Sequence, residues 1–384
     1  MGRILFVLRS FAMLAGTERV VSNKLNWLAA HGYEVALVTY EQGSHPLAFE
    51  LHPAIRVTDL DVRFFTTNHL PLYQRYITYR RMKQQFLERL QRVVDEFCPD
   101  VIMTTAYSLK IADEILKVSG KAHLVMESHE TCSTVMKAYD YRSRPLMRWV
   151  AQWYDRKYYR IVNHFDQLVT LTKGDAFEWR RHVKIPVCVI PNPLMYYPAS
   201  LPEKTATMHR FISVGRLERA KGFDLLITAF ARIAEQCTDW CLDIYGHGSE
   251  EAALRAQIAQ YGMEERIIIH QPTPHIYDAY QQSDCYVLSS RHEGFGMVLL
   301  EAMACGLPCV AFDCPYGPGE IIKNGDTGWL VSNGDVAQLV ERLQWVATHE
   351  AERLEQGQAA RQQVLLYEND TVMQQWVDLF NSWS

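Results

Sequence analysis

Short apolar runs alternate with longer stretches of helical period along nearly the whole chain. The runs Ile4–Leu8, Glu34–Thr39, Ile55–Leu60, Val101–Thr104, His123–Met126, Gln167–Leu171 and Val187–Ile190 predict strands. Helical patterns fit between most of them. The longest, Leu72–Phe97, is strongly basic and is ended by Pro99. From Pro191 to Met208 the periodicity is lost, which places a domain boundary there. The pattern restarts with a strand at Phe211–Val214 and a helix at Phe223–Ala234. Further strands follow at Cys241–Tyr245, Ile267–His270, Cys285–Leu288 and Cys309–Phe312. Asn369–Phe380 is again helical. Strands alternating with helices are the signature of parallel α/β sheets. The expectation is an α/β chain of two Rossmann-like domains facing across a cleft, with ligands at the carboxyl ends of both sets of strands.

Composition narrows this picture. A length of 384 residues suits two α/β domains, and 48% hydrophobic with 22% charged residues is ordinary for a soluble globular protein. No run approaches 18 apolar residues, so no transmembrane helix is predicted. Met1–Ala15 has some signal-peptide character, but Arg9 interrupts it and Ile4–Leu8 reads better as a first strand. Nine cysteines without a Cys-x-x-Cys pair argue against a disulfide framework and a zinc site. Cys305, Cys309 and Cys314 read as buried thiols in a reducing cytoplasm. The net charge of -5 hides an asymmetry: residues 1–195 hold 26 Lys+Arg against 19 Asp+Glu, and residues 196–384 hold 13 against 25. The halves are thus +7 and -12, which suggests different partners and argues against nucleic-acid binding.

Three strand-to-helix junctions carry candidate chemistry. In Glu293-Gly-Phe-Gly-Met-Val-Leu-Leu-Glu301, a strand runs into a loop and a helix starts near Gly296. Gly294 and Gly296 permit close backbone approach, and the helix N-terminus offers free N–H groups to a phosphate. Glu293 and Glu301 can each accept hydrogen bonds from vicinal hydroxyls, or can simply flank a tight turn. Arg216 after Val214-Gly215, followed by Lys221-Gly222, can grip a diphosphate, or be two solvated cations at loop ends. Ala15-Gly16-Thr17-Glu18 is a βα turn without the G-x-G-x-x-G fingerprint, which disfavours a dehydrogenase. Gly246-His247-Gly248 reads as a cleft-lining turn. His129 follows a strand, where a lone histidine is more often structural. Asp59-Leu60-Asp61 has the Asp-x-Asp form of a metal-dependent sugar transferase, but ends a short strand far in sequence from the cations.

With these residues in view the chain resembles glycosyltransferase family 4, the retaining family with the GT-B fold. The likeness rests on Glu293-x7-Glu301, Gly215-Arg216 with Lys221-Gly222, Ile190-Pro191-Asn192-Pro193, Gly317-Pro318-x-Glu320 and Gly16-Thr17-Glu18-Arg19-Val20-Val21. The family's usual double glycine before that Glu is Ala15-Gly16 here. The resemblance implies that Arg216 and Lys221 bind the donor diphosphate and Glu301 the ribose. It implies that Glu293, with the amides of Phe295 and Gly296, meets the transferred sugar. It gives His129 a place near the anomeric centre, and puts Gln271–His275 by the nucleobase. It implies an acceptor domain at 1–192, a donor domain at 193–368, and a final helix, 369–384, that packs back on the first. The donor is then a nucleotide-diphosphate sugar, UDP-sugar foremost, and no metal or other cofactor is expected, since two cations and a helix end take the leaving group's charge. Within the family the first domain is similar to bacterial enzymes that extend lipid-linked oligosaccharides. The expected acceptor is a polyprenyl-diphosphate-linked glycan. The expected location is cytoplasmic, peripheral on the inner face of the membrane. Arg75, Arg80, Arg81, Lys83, Arg89 and Arg92 are the candidate cations for that surface. Arg142, Arg144, Arg148, Arg156, Lys157 and Arg160, interleaved with Trp149, Trp153, Tyr154, Tyr158 and Tyr159, form a second candidate stretch, or both stretches are ordinary helices. A sugar-nucleotide epimerase on the same architecture is the alternative function.

Overall fold

Strands buried on both faces need apolar residues at nearly every position, and the runs in this chain supply them. The computed structural model describes residues 2–13, 15–137, 148–202 and 208–383. Two compact units emerge: Met1–Pro191 with Val372–Ser384, and Asn192–Thr371.

The first unit holds a seven-stranded sheet. Its strands are β1 (Arg3–Leu8), β2 (Glu34–Thr39), β3 (Arg56–Asp59), β4 (Val101–Thr105), β5 (His123–Ser128), β6 (Gln167–Thr170) and β7 (Val187–Val189). Their order is β3-β2-β1-β4-β5-β6-β7, with parallel pairing throughout. Alternate residues of β1 enter opposite cores. Leu5 and Val7 join Phe86, Leu90 and Trp179 on one face. Ile4, Phe6 and Leu8 join Leu25, Leu28, Trp376 and Phe380 on the other. The chain's last helix, Asn369–Asn381, thereby closes this second face with Val372, Met373, Trp376 and Phe380.

The second unit holds a six-stranded parallel sheet of order β10-β9-β8-β11-β12-β13. Its strands are β8 (His209–Val214), β9 (Trp240–Tyr245), β10 (Ile267–His270), β11 (Cys285–Leu288), β12 (Cys309–Asp313) and β13 (Gly328–Ser332). The helix Phe223–Ile233 packs Phe223, Leu226, Ile227 and Phe230 into its core. In both sheets the strand order reverses beside the first strand, between β1 and β4 and between β8 and β11. Such a reversal opens a crevice at the carboxyl ends of the two strands, because their following helices leave to opposite faces.

Candidate functional site

The reversal in the second unit joins the two motifs singled out above. The loop after β8 carries Arg216 and Lys221, and the loop after β11 carries Glu293. Lys221 Nζ lies 2.5 Å from Glu293 Oε1, with side chains 24% and 9% exposed. Ser290 Oγ donates to the same carboxylate oxygen at 2.8 Å. The loops are also tied through their backbones. Arg291 N–H donates to the Ala220 carbonyl at 2.8 Å, and Ser289 Oγ to the Lys221 carbonyl at 3.0 Å. Gly222 sits at φ +65°, and a Cβ there would lie 2.0 Å from the Ser289 carbonyl oxygen. Arg216 is exposed, and no hydrogen bond or ion pair holds its side chain among the described residues.

Gly246 and Gly248 make room for the neighbouring loop. A Cβ on Gly246 would meet the Gly215 carbonyl oxygen at 1.9 Å, and one on Gly248 the Leu217 carbonyl oxygen at 2.4 Å. Their turn therefore clasps the Gly215–Leu217 backbone and so fixes the base of Arg216. Gly317 does the same for Phe295, whose carbonyl oxygen would lie 2.0 Å from its Cβ. Glu293 and Tyr316 further pair their backbones.

Beyond Glu293 the chain turns through Gly294, Phe295 and Gly296 into the helix Met297–Ala304. Gly296, at φ +101°, is its N-cap. The first amides of a helix have no acceptor within it and suit an anion. Phe295 is buried against Tyr367. Glu301 is only 5% exposed and accepts a hydrogen bond from Tyr280 Oη at 3.2 Å. Burial, with the Glu301 charge second, pushes the Tyr280 hydroxyl well above its usual range, so it stays protonated and keeps donating. Glu301 thus lies deeper than Glu293. Gln271–His275 leaves the end of β10, at the sheet's edge.

In the first unit, His129 follows β5. Its ring is 3% exposed, and Nε2 lies 2.9 Å from Glu127 Oε2. Glu127 also pairs with Lys24 Nζ, and both of those side chains are 4% exposed. Burial lowers the Lys24 pKa, and the Glu127 charge works against that. Burial alone would raise the pKa of Glu127, but the Lys24 charge and then the contact with His129 overcome it and hold the value below the usual one. Burial raises the pKa of Glu18, and His129 lies near enough to work against that, so the Gly16-Thr17-Glu18 turn and the end of β5 are neighbours. Gly16 itself opens the helix Gly16–Ala30, and a Cβ there would touch nothing within 4 Å.

Sequence reasoning did not reach Lys24, Glu127, Ser290 or Tyr280. Lys24 had a signal: it sits among Val20, Val21, Leu25 and Leu28 on the buried face of its helix, where a lysine requires a counter-charge. Asp59 and Asp61 have other employment. Asp59 accepts from Thr39 Oγ1, Gln42 N and Gly43 N, and Asp61 pairs with Arg63 at 2.8 Å. Among the described residues no three His, Cys, Asp or Glu gather as metal ligands.

The basic helix Leu72–Phe97 starts with an exposed stripe of Leu72, Tyr73, Tyr76 and Ile77, flanked by exposed Arg75, Arg80 and Arg81. Lys83 instead reaches the buried Glu114 at 2.9 Å. Arg89 hydrogen-bonds the carbonyls of Leu60 and Asp61. Of the second stretch, Tyr158 is buried core with Tyr154 and Tyr159 packed on it, while Trp153, Arg156, Lys157 and Arg160 are exposed. Arg142 and Arg144, and the side chains of Arg148 and Trp149, lie outside the described residues. No described helix is long and apolar enough to cross a membrane.

Two family descriptions match the chain: "Glycosyl transferase 4-like domain" over residues 15–193 and "Glycosyl transferases group 1" over 202–363. The chain belongs to this glycosyltransferase family and is a transferase enzyme. An uncharacterized glycosyltransferase of Haemophilus influenzae is 26% identical, covering 98% of this chain and 99% of that one. The amylovoran biosynthesis glycosyltransferase AmsD of Erwinia amylovora is 26% identical, covering 99% and 100%. The solved structure of Anabaena Alr3699/HepE, in complex with UDP and glucose, matches with a TM-score of 0.73 at 17% identity, covering all of both chains. The shared fold is the GT-B fold that the resemblance implied.

Proposed function

We propose that this enzyme moves a sugar from a nucleotide-diphosphate donor, UDP-sugar foremost, onto a lipid-linked glycan during bacterial surface-polysaccharide assembly, with retention and without a metal. The observation that carries the reading is the Lys221–Glu293 pair beside Arg216 at the β8/β11 reversal. An incoming diphosphate competes with Glu293 for Lys221 and gains Arg216 and the Gly294–Gly296 turn. Glu293, released, faces the sugar's hydroxyls. As the glycosidic bond breaks, charge builds on the leaving phosphate, where fixed cations and a helix N-terminus stabilise it most. Glu301 holds the ribose, and His129 of the first unit serves the transferred sugar. UDP in the Anabaena structure and the biosynthetic role in the name of the Erwinia relative support donor and pathway.

The first unit supports the acceptor side. It contains a cavity of about 280 Å³ lined by Phe64, Tyr79, Tyr158, Arg9, Arg75 and Lys110, among others. Aromatic faces suit sugar rings, and the cations suit a diphosphate. Arg75 links this cavity to the exposed stripe of Leu72–Ile77, which suits an anionic membrane surface.

The deciding experiment supplies a panel of nucleotide sugars and a lipid-linked acceptor in excess EDTA. Free nucleotide and a glycosylated acceptor of retained configuration are expected. An epimerised product still bearing its nucleotide would establish the epimerase alternative. Complete loss of activity, restored by a divalent ion, would overturn the metal-free mechanism.

Membrane contact has its own test. Exposed cations near an anionic surface contribute about 1 kcal/mol each and are screened by salt. Replacing Arg75, Arg80 and Arg81 by Ala is expected to weaken co-sedimentation with anionic vesicles by at least roughly tenfold at low salt. Lys83→Ala should do little, since that ammonium is committed to Glu114. Donor hydrolysis should be unchanged in the triple variant. Wild-type protein that stays in the supernatant at low salt would remove the membrane from the reading.

A further inference from the structure

A lysine–glutamate pair withdrawn from solvent is a poor way to stabilise a fold. Both charges are desolvated, and well-packed apolar residues of the same size usually do as well or better. Lys24 and Glu127 form such a pair, 103 residues apart in sequence. They span the second core face of the first unit. Lys24 comes from the helix Gly16–Ala30, which begins at the Gly16-Thr17-Glu18 turn, and Glu127 from the end of β5. The second oxygen of Glu127 faces His129 Nε2 at 2.9 Å. The Lys24 ammonium is capped by the chain's last helix: Nζ lies 3.6 Å from the centre of a Trp376 ring and 5.9 Å from that of Phe6. The ring of His129 is thus anchored from below, while the residue as a whole keeps partial exposure, which its main chain provides.

The segment after His129 is held just as firmly. Ser128 Oγ donates to the Glu130 carbonyl at 2.7 Å and receives the Trp179 indole N–H at 3.3 Å. The Cys132 amide donates to Asp175 at 2.6 Å. Asp175 is buried, which raises its pKa to about 7. Glu127 to Cys132 is therefore pinned at several points, and the Lys24–Glu127 pair is the point that fixes His129.

We propose that Lys24 and Glu127 are positioning residues for sugar transfer: together, under the cover of Trp376, they set the placement of His129 and of the main chain it carries. The inference rests on the reading that His129 serves the transferred sugar. It gives the last helix a task in the reaction, because that helix shields the ammonium that holds the carboxylate that holds the histidine. A misplacement of about 1 Å at a reacting centre can cost 10²-fold in rate, which is the scale expected for loss of the anchor.

The test is a cycle of variants of the full-length enzyme, assayed for sugar transfer to acceptor. The combined replacement Lys24→Met with Glu127→Gln removes both charges at nearly constant volume and leaves no lone buried ion. It should unfold near the wild-type temperature and keep the donor KM within about twofold, while kcat falls by roughly 10². His129→Ala should show a loss of similar size. Adding the two charge removals to His129→Ala should then cost less than about threefold, because residues acting as a unit are not additive. A folded double variant with wild-type kcat would overturn the proposal. So would a loss that repeats in full on the His129→Ala background, since the pair would then act elsewhere. Glu127→Asp keeps the charge but shortens the reach, and carries the test should the neutral pair not fold. It too must lower kcat with donor KM unchanged, and wild-type turnover in it would overturn the proposal. His129→Ala with wild-type kcat would take down the assignment of His129 itself, a result distinct from intact turnover in the Glu127 variants alone.

Discussion

Arg216→Ala and Lys221→Ala should each slow sugar transfer by roughly 10²–10³-fold at saturating donor, the scale for removing one preorganised group that meets transition-state charge. The two losses have different origins. Arg216 is exposed and is held through its backbone by the Gly246–Gly248 turn, so its removal takes away a cation and leaves the loop in place. Lys221 is already bound to Glu293 at 2.5 Å, so its removal also leaves a mostly buried carboxylate whose remaining side-chain partner among the described residues is Ser290. Lys221→Ala is therefore expected to lower the thermal midpoint of the protein, and Arg216→Ala is not. The variant with both changes should lose less than the product of the single losses, because both cations serve one diphosphate. Adding Glu293→Ala to Lys221→Ala should restore the midpoint without restoring turnover. Steady-state kinetics and thermal unfolding on the four variants check this. Wild-type kcat in both single variants would remove the two cations from the mechanism, whatever the unfolding data show.

How far the sequence discloses this site follows from the range of the interactions involved. Strands such as Ile4–Leu8 and Cys285–Leu288 are legible because a parallel strand must be apolar on both faces. The strand β13 is not, because Trp329, Leu330 and Val331 are a short run that follows the turn-like Asn324-Gly325-Asp326-Thr327. Arg216, Lys221 and Glu293 are legible as residue types at strand-to-helix junctions. Their meeting is not, because 72 residues separate Lys221 from Glu293 and only the adjacency of β8 and β11 joins them. The same holds for Lys83. Its charge suggests an exposed basic face, and only the packing of its helix shows that Glu114 claims it. Glycines disclose only part of their role. Gly246 and Gly248 are legible as a turn, while the space left by their missing Cβ atoms is taken by another stretch of backbone. Motif reading sees that space is needed and not what fills it.

That distinction yields the sharpest contrast among the glycines. Gly222→Ala should be severe for structural reasons. The residue sits at φ +65°, a conformation that costs an L-residue roughly 1–2 kcal/mol, and its new Cβ would lie 2.0 Å from the Ser289 carbonyl oxygen. A backbone oxygen cannot swing aside as a side-chain tip can, so the β8 and β11 loops must part and the Lys221–Glu293 pair with them. The expected result is a thermal midpoint lower by several degrees and nucleoside-diphosphate binding weakened by at least roughly tenfold, for a destabilisation of 2 kcal/mol or more. Gly16→Ala should be the opposite. Its Cβ would meet nothing within 4 Å, its φ is not positive, and alanine is the better helix former. Its midpoint should stay at or slightly above the wild-type value. Any loss of transfer in Gly16→Ala is then a loss of room for substrate at this turn, whose Glu18 lies near His129. Differential scanning calorimetry, with titration of the free nucleoside diphosphate, separates the two cases. Full transfer activity in Gly16→Ala would show that no substrate approaches this turn closely. An unchanged midpoint in Gly222→Ala would show that the two loops are not locked together as described.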